Sequence, residues 1–179
     1  MVKKEKAIEK RAKLIIKYRK MKIRKKEENG DLITYRLAKK DSSYVMRCVS
    51  NRSNVGIADV RELRDLVLEK KADGGILLTD SKYTYSARHN SPRMNIELIP
   101  PTIPAFDIFK HKLVSPAEIL NDEERNTVLE RFNAEPYQFP KMGSKDPVSI
   151  ILGANSGDIV RFKHDSVTAG LTETFRYVV

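Results

Sequence analysis

Tryptophan is absent from the 179 residues, and cysteine appears once, at Cys48. A lone thiol excludes an internal disulfide and cannot by itself build a cysteine-based zinc site. That usage fits a reducing interior, so the expected location is the cytoplasm. No apolar run approaches the roughly 18–20 residues that a membrane span needs. The basic N-terminal stretch also lacks the apolar segment of a secretory signal. No membrane partner is expected. The three histidines, His89, His111 and His164, have no metal-type spacing. No glycine-rich loop followed by lysine offers a phosphate cradle, and no Ser/His/Asp set can be assembled. The expectation is therefore no metal and no cofactor.

What is present is charge, unevenly placed. Hydrophobic residues make up 40% of the chain, enough for a packed core, and charged residues 32%. Residues 1–28 hold thirteen Lys and Arg against four Glu, a net of +9, so the other 151 residues carry only +1 of the total +10. A concentrated basic arm meets DNA, RNA or an acidic protein surface, or else is a solvated helix that keeps the chain soluble. Residues 1–28 lack Pro and Gly and favour helix. Ile8, Ala12 and Ile15 form one row at helical spacing, and Leu14, Tyr18 and Met21 form a second.

Residues 29–99 read as a mixed α/β unit. Asn29-Gly30-Asp31 signals a turn. Strands are expected at 32–37 and 44–49, a helix over 59–71 with Val60, Leu63 and Val67 on one face, and a short strand at 76–79. A short helix near 84–90 precedes a strand at 95–99. The order suggests a sheet with helices against it. Pro100, Pro101 and Pro104 mark a linker at 100–104, since prolines cannot continue a helix or a central strand.

Residues 105–179 read as a small α+β module. Ser115-Pro116-Ala117-Glu118 has capping-box spacing, with Pro at the first helical position. Asn121 or Asp122 caps a helix to about Phe132, with Val128, Leu129 and Phe132 inward. Asp146-Pro147 opens a helix that Gly153 ends. Asn155-Ser156-Gly157-Asp158 makes a turn, and strands follow at 159–163 and 172–178.

This second unit resembles the H-type small subunit of archaeal DNA-directed RNA polymerase and the C-terminal domain of its counterpart, the eukaryotic fifth polymerase subunit. The resemblance runs from His111-Lys112-Leu113-Val114 through Phe139-Pro140-Lys141 and Lys145-Asp146-Pro147-Val148. It continues with Leu152-Gly153-Ala154, Ser156-Gly157-Asp158 and Ser166-Val167-Thr168-Ala169-Gly170, and closes with Phe175-Arg176-Tyr177-Val178. Each piece alone is weak, but all of them in order at family spacing make a specific signal. Two departures stand out: His164-Asp165 replaces the family's Arg-Pro, and the Tyr-Arg ending is shifted to Phe175-Arg176-Tyr177. The resemblance implies a non-catalytic, cytoplasmic subunit of a DNA-directed RNA polymerase, working in transcription among the other polymerase subunits. It implies anchoring on the largest subunit, with Asp146, Pro147, Thr168, Ala169, Gly170, Arg176 and Tyr177 as contacts.

Residues 30–99 are similar to the catalytic domain of Mrr-type restriction endonucleases. The matching pieces are Gly30-Asp31-Leu32-Ile33, Tyr44-Val45-Met46-Arg47-Cys48, Val55 to Leu63, and Ala72-Asp73-Gly74-Gly75-Ile76-Leu77-Leu78-Thr79-Asp80. Such nucleases hold Mg²⁺ between acidic or amide groups on neighbouring strands, with a lysine two positions beyond the second. Here Asp31 falls at the first acid, Arg47 at the second position and Val49 at the lysine. Arg47 repels a metal, and Val49 cannot handle a proton, so the resemblance implies an inactive nuclease fold. The eukaryotic fifth subunit carries a related domain at the polymerase jaw, near downstream DNA. Non-specific contacts to the phosphates of double-stranded DNA are expected from Arg47, Arg52, Arg61, Arg64 and Lys82. Tyr83 and Tyr85 are candidates for base stacking, or else for strand-end packing.

The expected architecture is thus a basic helical arm at 1–28, a nuclease-like mixed sheet with helices at 29–99, a linker at 100–104 and a polymerase-subunit-like α+β module at 105–179. The competing functions are an active Mg²⁺-dependent nuclease and a free-standing DNA-binding protein driven by the basic arm.

Overall fold

The computed structural model describes residues 7–40, 42–166 and 170–179. The chain divides into two compact units, Met1–Phe106 and Asp107–Val179.

The first unit is built on a five-stranded sheet. Helix α1 (Ala7–Tyr18) leads into β1 (Lys22–Asn29), β2 (Leu32–Lys39) and β3 (Ser42–Val49), followed by the short β4 (Asn54–Val55). Helix α2 (Ile57–Glu69), β5 (Gly74–Thr79), β6 (Lys82–Tyr83), α3 (Tyr85–Asn90) and β7 (Ile96–Ile99) complete it. The sheet order is β1-β2-β3-β5-β7, antiparallel up to β3 and parallel from β3 to β7. The crossover from β3 to the parallel β5 runs through α2, as parallel neighbours require. All six residues of β5 are buried, which marks it as a strand covered on both faces.

Strand alternation sorts the core into two layers. Val45, Val49 and Leu77 face Val60, Leu63 and Val67 of α2. Gly75 stands on that same face. A Cβ there would come within 2.5 Å of Ile96 Cδ1 and 3.2 Å of Leu63 Cγ, so only glycine lets α2 sit this close. The alternate residues Met46, Cys48, Ile76 and Leu78 are also buried, on the face where α1 packs against β3 and β5. Ile8, Ala12, Ile15 and Ile16 of α1 are buried.

The expected helical arm is corrected in its extent. Only 7–18 is helical among the described residues of 1–28, and the Ile8, Ala12 and Ile15 row is the face that this helix buries. Residues 22–29 are a strand, because the Asn29-Gly30-Asp31 turn folds them back on β2 from Asn29↔Leu32 to Lys22↔Ala38. The backbone pairing outweighs the helix preference of its lysines and glutamates. Arg19, just past α1, is 5% exposed and donates to both Glu97 carboxylate oxygens at 2.5 and 2.6 Å.

The expected linker is also corrected. Ile103 is 1% exposed, and residues 100–106 group with the first unit. The prolines shape the segment without freeing it.

The second unit holds β8 (Ala117–Ile119), α4 (Asp122–Phe132), β9 (Lys141–Met142), α5 (Pro147–Leu152), β10 (Ile159–Ser166) and β11 (Gly170–Val178). Its four-stranded sheet has the order β8-β10-β11-β9. The Ser115–Glu118 capping box does not form. Ala117–Ile119 instead pairs antiparallel with Val160–Phe162, and Glu118 meets Arg161 and Lys163 rather than a helix end. The true cap is Asn121, whose side chain accepts from Glu124 N at 2.8 Å while Glu124 accepts from Asn121 N at 3.1 Å. Asp146 caps α5 by accepting from Val148 N at 2.8 Å, and Gly153 ends it at φ 74°. The core gathers Leu120, Val128, Ile159 and Phe175, with Leu129, Phe139 and Tyr177 packed against it. Phe132 is 49% exposed, not inward, yet its ring meets Phe139 and Phe175 edge-on.

Candidate functional site

The first unit brings Asp31, Arg47 and Val49 to one end of the β2–β3 pair. Leu32 stands opposite Val49 and Thr34 opposite Arg47. Asp31 lies in the β1–β2 turn. Its backbone carbonyl accepts from Ser50 N and Ser50 Oγ, both at 3.1 Å, and its Oδ1 accepts from Asn51 Nδ2 at 2.7 Å. Each of these bonds ties the β1–β2 turn to the end of β3. Arg47 is 12% exposed and pairs with Glu62 of α2 at 2.9 Å. Val49 is 1% exposed within the α2-facing core. No group of three His, Cys, Asp or Glu side chains stands ready to hold a metal ion among the described residues. At these three positions the structure holds one carboxylate, one cation and one buried alkyl group.

The other cations divide by their surroundings. Arg52 pairs with Asp59, the residue that also accepts from Gly56 N at 3.0 Å at the start of α2. That makes Arg52 part of the helix N-terminus. Arg61, Arg64 and Lys82 are exposed. Tyr83 belongs to the core: its hydroxyl donates to the carbonyls of Leu77 and Ile99 at 2.7 and 3.0 Å, and burial drives its acidity well below that of an ordinary phenol. Tyr85 is 76% exposed and stacks on His89 with 5.9 Å between ring centroids. Burial likewise pushes the Cys48 thiol up to about 12, which leaves it an inert core residue.

One feature of the first unit was not readable from sequence. A cleft of about 210 Å³ opens on the α2 side of the sheet, with Glu27, Asn29, Thr34, Arg36, Arg47 and Lys70 in its wall. These residues come from three strands and a helix end. Only the β1–β2 register, which sequence periodicity did not reveal, brings them together.

In the second unit, Asp146 and Pro147 are exposed at the α5 N-terminus, and Gly170 is exposed at the start of β11 with φ 66°. Thr168 and Ala169 lie outside the described residues. Arg176 is exposed and lies over the Phe162 ring, 5.5 Å from its centroid. Tyr177 is half-buried against the core, and its N–H donates to Pro140 O at 2.9 Å, so its ring is partly structural. A charge network in this unit was equally hidden from local sequence pattern. Arg161 meets Glu118 at 2.6 Å, Glu124 at 2.9 Å and Glu173 at 3.7 Å. Lys163 and then Arg161 hold the Glu118 carboxyl below its ordinary range. His164 sits between two hydroxyls, Ser115 Oγ at 2.7 Å from Nδ1 and Thr174 Oγ1 at 2.8 Å from Nε2. No helix among the described residues is long and apolar enough to cross a membrane.

Comparison with known proteins divides at the same place as the fold. Residues 106–178 match the family described as RNA polymerase Rpb5, C-terminal domain. Residues 10–102 match the family described as restriction endonuclease. A protein named DNA-directed RNA polymerase subunit Rpo5 from Pyrococcus abyssi is 43% identical over 74 residues, which is 41% of this chain and 90% of the relative. Proteins of the same name from Methanothermobacter thermautotrophicus and Methanococcoides burtonii are 43% and 36% identical over 72 and 74 residues, covering 94% and 95% of those relatives. A solved structure of EndoMS in apo form aligns with 54% of this chain at 17% identity and a TM-score of 0.37. The chain spans 46% of that protein's length.

Proposed function

Because the chain belongs to the RNA polymerase Rpb5 C-terminal domain family through residues 106–178, and to the restriction endonuclease family through residues 10–102, we propose that it is a non-catalytic subunit of a DNA-directed RNA polymerase. The second unit anchors it to the largest subunit, and the first helps hold downstream DNA at the jaw. The observation that carries this reading is the match to Rpo5 proteins across nine-tenths or more of their length. The chain would therefore bring to the enzyme the whole module that those relatives consist of.

The anchoring surface is assigned to Asp146, Pro147, Gly170 and Arg176, which are exposed, with Tyr177 supporting them from the core edge. Thr168 and Ala169, outside the described residues, are proposed contacts on the strength of the family resemblance alone. DNA positioning is assigned to Arg61, Arg64 and Lys82, exposed cations that would meet phosphates without reading bases. Arg47 and Arg52 are already paired with Glu62 and Asp59, so they contribute less to that outer surface. The test is recovery of the tagged full chain from its source cells. The largest polymerase subunit is expected in the same complex, and a chain recovered without any polymerase subunit overturns the reading.

The restriction endonuclease match favours one second reading, a Mg²⁺-dependent nuclease. Arg47 and the buried Val49 argue against it. Incubation of the purified chain with duplex DNA and Mg²⁺ decides the matter. No cleavage is expected, and cleavage lost on Asp31→Ala would establish the nuclease instead.

A further inference from the structure

Helix α2 covers only part of its side of the sheet, and the uncovered part forms the cleft lined by Asn29, Thr34, Arg36, Arg47, Lys70 and Glu27. The register explains the gathering. Thr34 stands between Glu27 on β1 and Arg47 on β3, while Arg36, two residues along the same face, stands between Lys25 and Val45. Lys70 closes one end from the C-terminus of α2.

Three features give the cleft an anion's chemistry. Its wall carries three cations and one carboxylate; Glu62 pairs with Arg47 and Glu69 with Lys70, and Arg36 is in neither pair. Arg47 is 12% exposed and fixed by Glu62, yet its Nε is buried with no hydrogen-bond partner. A buried donor without an acceptor is costly, and one on a charged guanidinium is the more so. The third feature is the field on Glu27, whose carboxyl is held below its ordinary range by Lys25 first, with Arg36 and Lys70 adding to it. A volume of 210 Å³ falls below the roughly 300 Å³ at which drug-sized pockets begin, and suits one tetrahedral oxyanion better than a stacked base. Asp31 and Val49 are not in the wall, but Arg47 is, so the cleft adjoins the place where the nuclease resemblance puts the metal and differs from it in carrying cations.

We propose that this cleft binds a phosphate group, carried by a free nucleotide or by a nucleic-acid strand, with Arg47 and Arg36 as its charged donors and Lys70 as a cation at its edge. Arginine suits the task because its planar N–H groups match phosphate oxygens in pairs. The strand source rests on the DNA-holding reading of the first unit, whereas nucleotide binding stands without it.

The isotope-labelled full chain is titrated with inorganic phosphate, with ATP and with a short single-stranded oligonucleotide. The Arg47 Nε–H signal and the amides of Thr34 and Arg36 are followed by NMR. Saturable shifts are expected, with Arg36→Gln and Lys70→Gln each weakening them about 3- to 10-fold. Arg93→Gln, exposed and outside the cleft, leaves them unchanged. Saturation by ATP at lower concentration assigns a nucleotide. Shifts confined to the oligonucleotide, and lost with a methylphosphonate backbone, assign a strand. Both outcomes support a phosphate site. Silence of these signals with all three probes, or shifts that neither Gln variant weakens, overturns it. Arg47 is left intact because Arg47→Gln would also break the Glu62 pair. A failed titration leaves polymerase co-purification untouched, and a chain that binds phosphate but no polymerase sinks only the subunit reading.

Discussion

At the scale of single residues, the contrast between Val49 and Asp31 carries the most. The identities at 31, 47 and 49 were legible in the sequence. Their surroundings were not legible. Val49 is core, packed toward α2, so a lysine there must be buried with its charge or push the helix away. Val49→Lys is expected to cost about 3 kcal/mol or more in urea unfolding and to gain no DNA cleavage. A variant of unchanged stability that cleaves DNA contradicts this placement. Glu118 supplies a second test. Its folded pKa is depressed below the ordinary 4.5 by Lys163 and Arg161. The unfolded chain therefore binds the proton more tightly, and the stabilisation is present above about pH 4.5 and lost as pH falls through the folded value. The group is partly solvated, so the contribution is under about 1 kcal/mol. Glu118→Gln should narrow the difference in urea midpoint between about pH 6 and about pH 3. An unchanged difference removes the assigned role.

At the scale of elements, helices with caps and strands with alternating burial were readable. α2, α4 and α5 lie within a few residues of where their periodicity and capping residues placed them. β1 and β8 were not readable, for a common reason. A charged run such as Lys22 to Glu28 has helix propensity, and its strand identity comes from β2, a partner that local pattern does not announce. Ser115 to Glu118 has the spacing of a cap, but Arg161 and Lys163 across the sheet claim the glutamate. The consequence for α1 is testable. Ile15 is 0% exposed, so Ile15→Ala is expected to cost about 2–4 kcal/mol in chemical unfolding. Removing residues 1–28 deletes a core helix and an edge strand, and the first unit should lose its cooperative unfolding transition rather than merely some affinity for DNA. A truncated chain that unfolds as cooperatively as the full one restores the picture of a detachable arm.

At the scale of the whole molecule, the two units carry two different family memberships, each matched almost end to end within its unit. The C-terminal resemblance was legible because it rests on many short motifs in fixed order. The phosphate cleft was not, because it needs the register of three strands. The central claim is that the second unit attaches this chain to the polymerase. The most direct measurement is quantitative co-purification of the tagged full chain, as wild type and as Arg176→Glu, from its own cells. Arg176 is exposed and lies over Phe162 rather than in the core, so reversing its charge is expected to leave the fold intact. The wild type is expected to bring down the largest subunit in near-equal amount, and Arg176→Glu to lose most of it. A wild-type chain recovered free of the largest subunit contradicts the account.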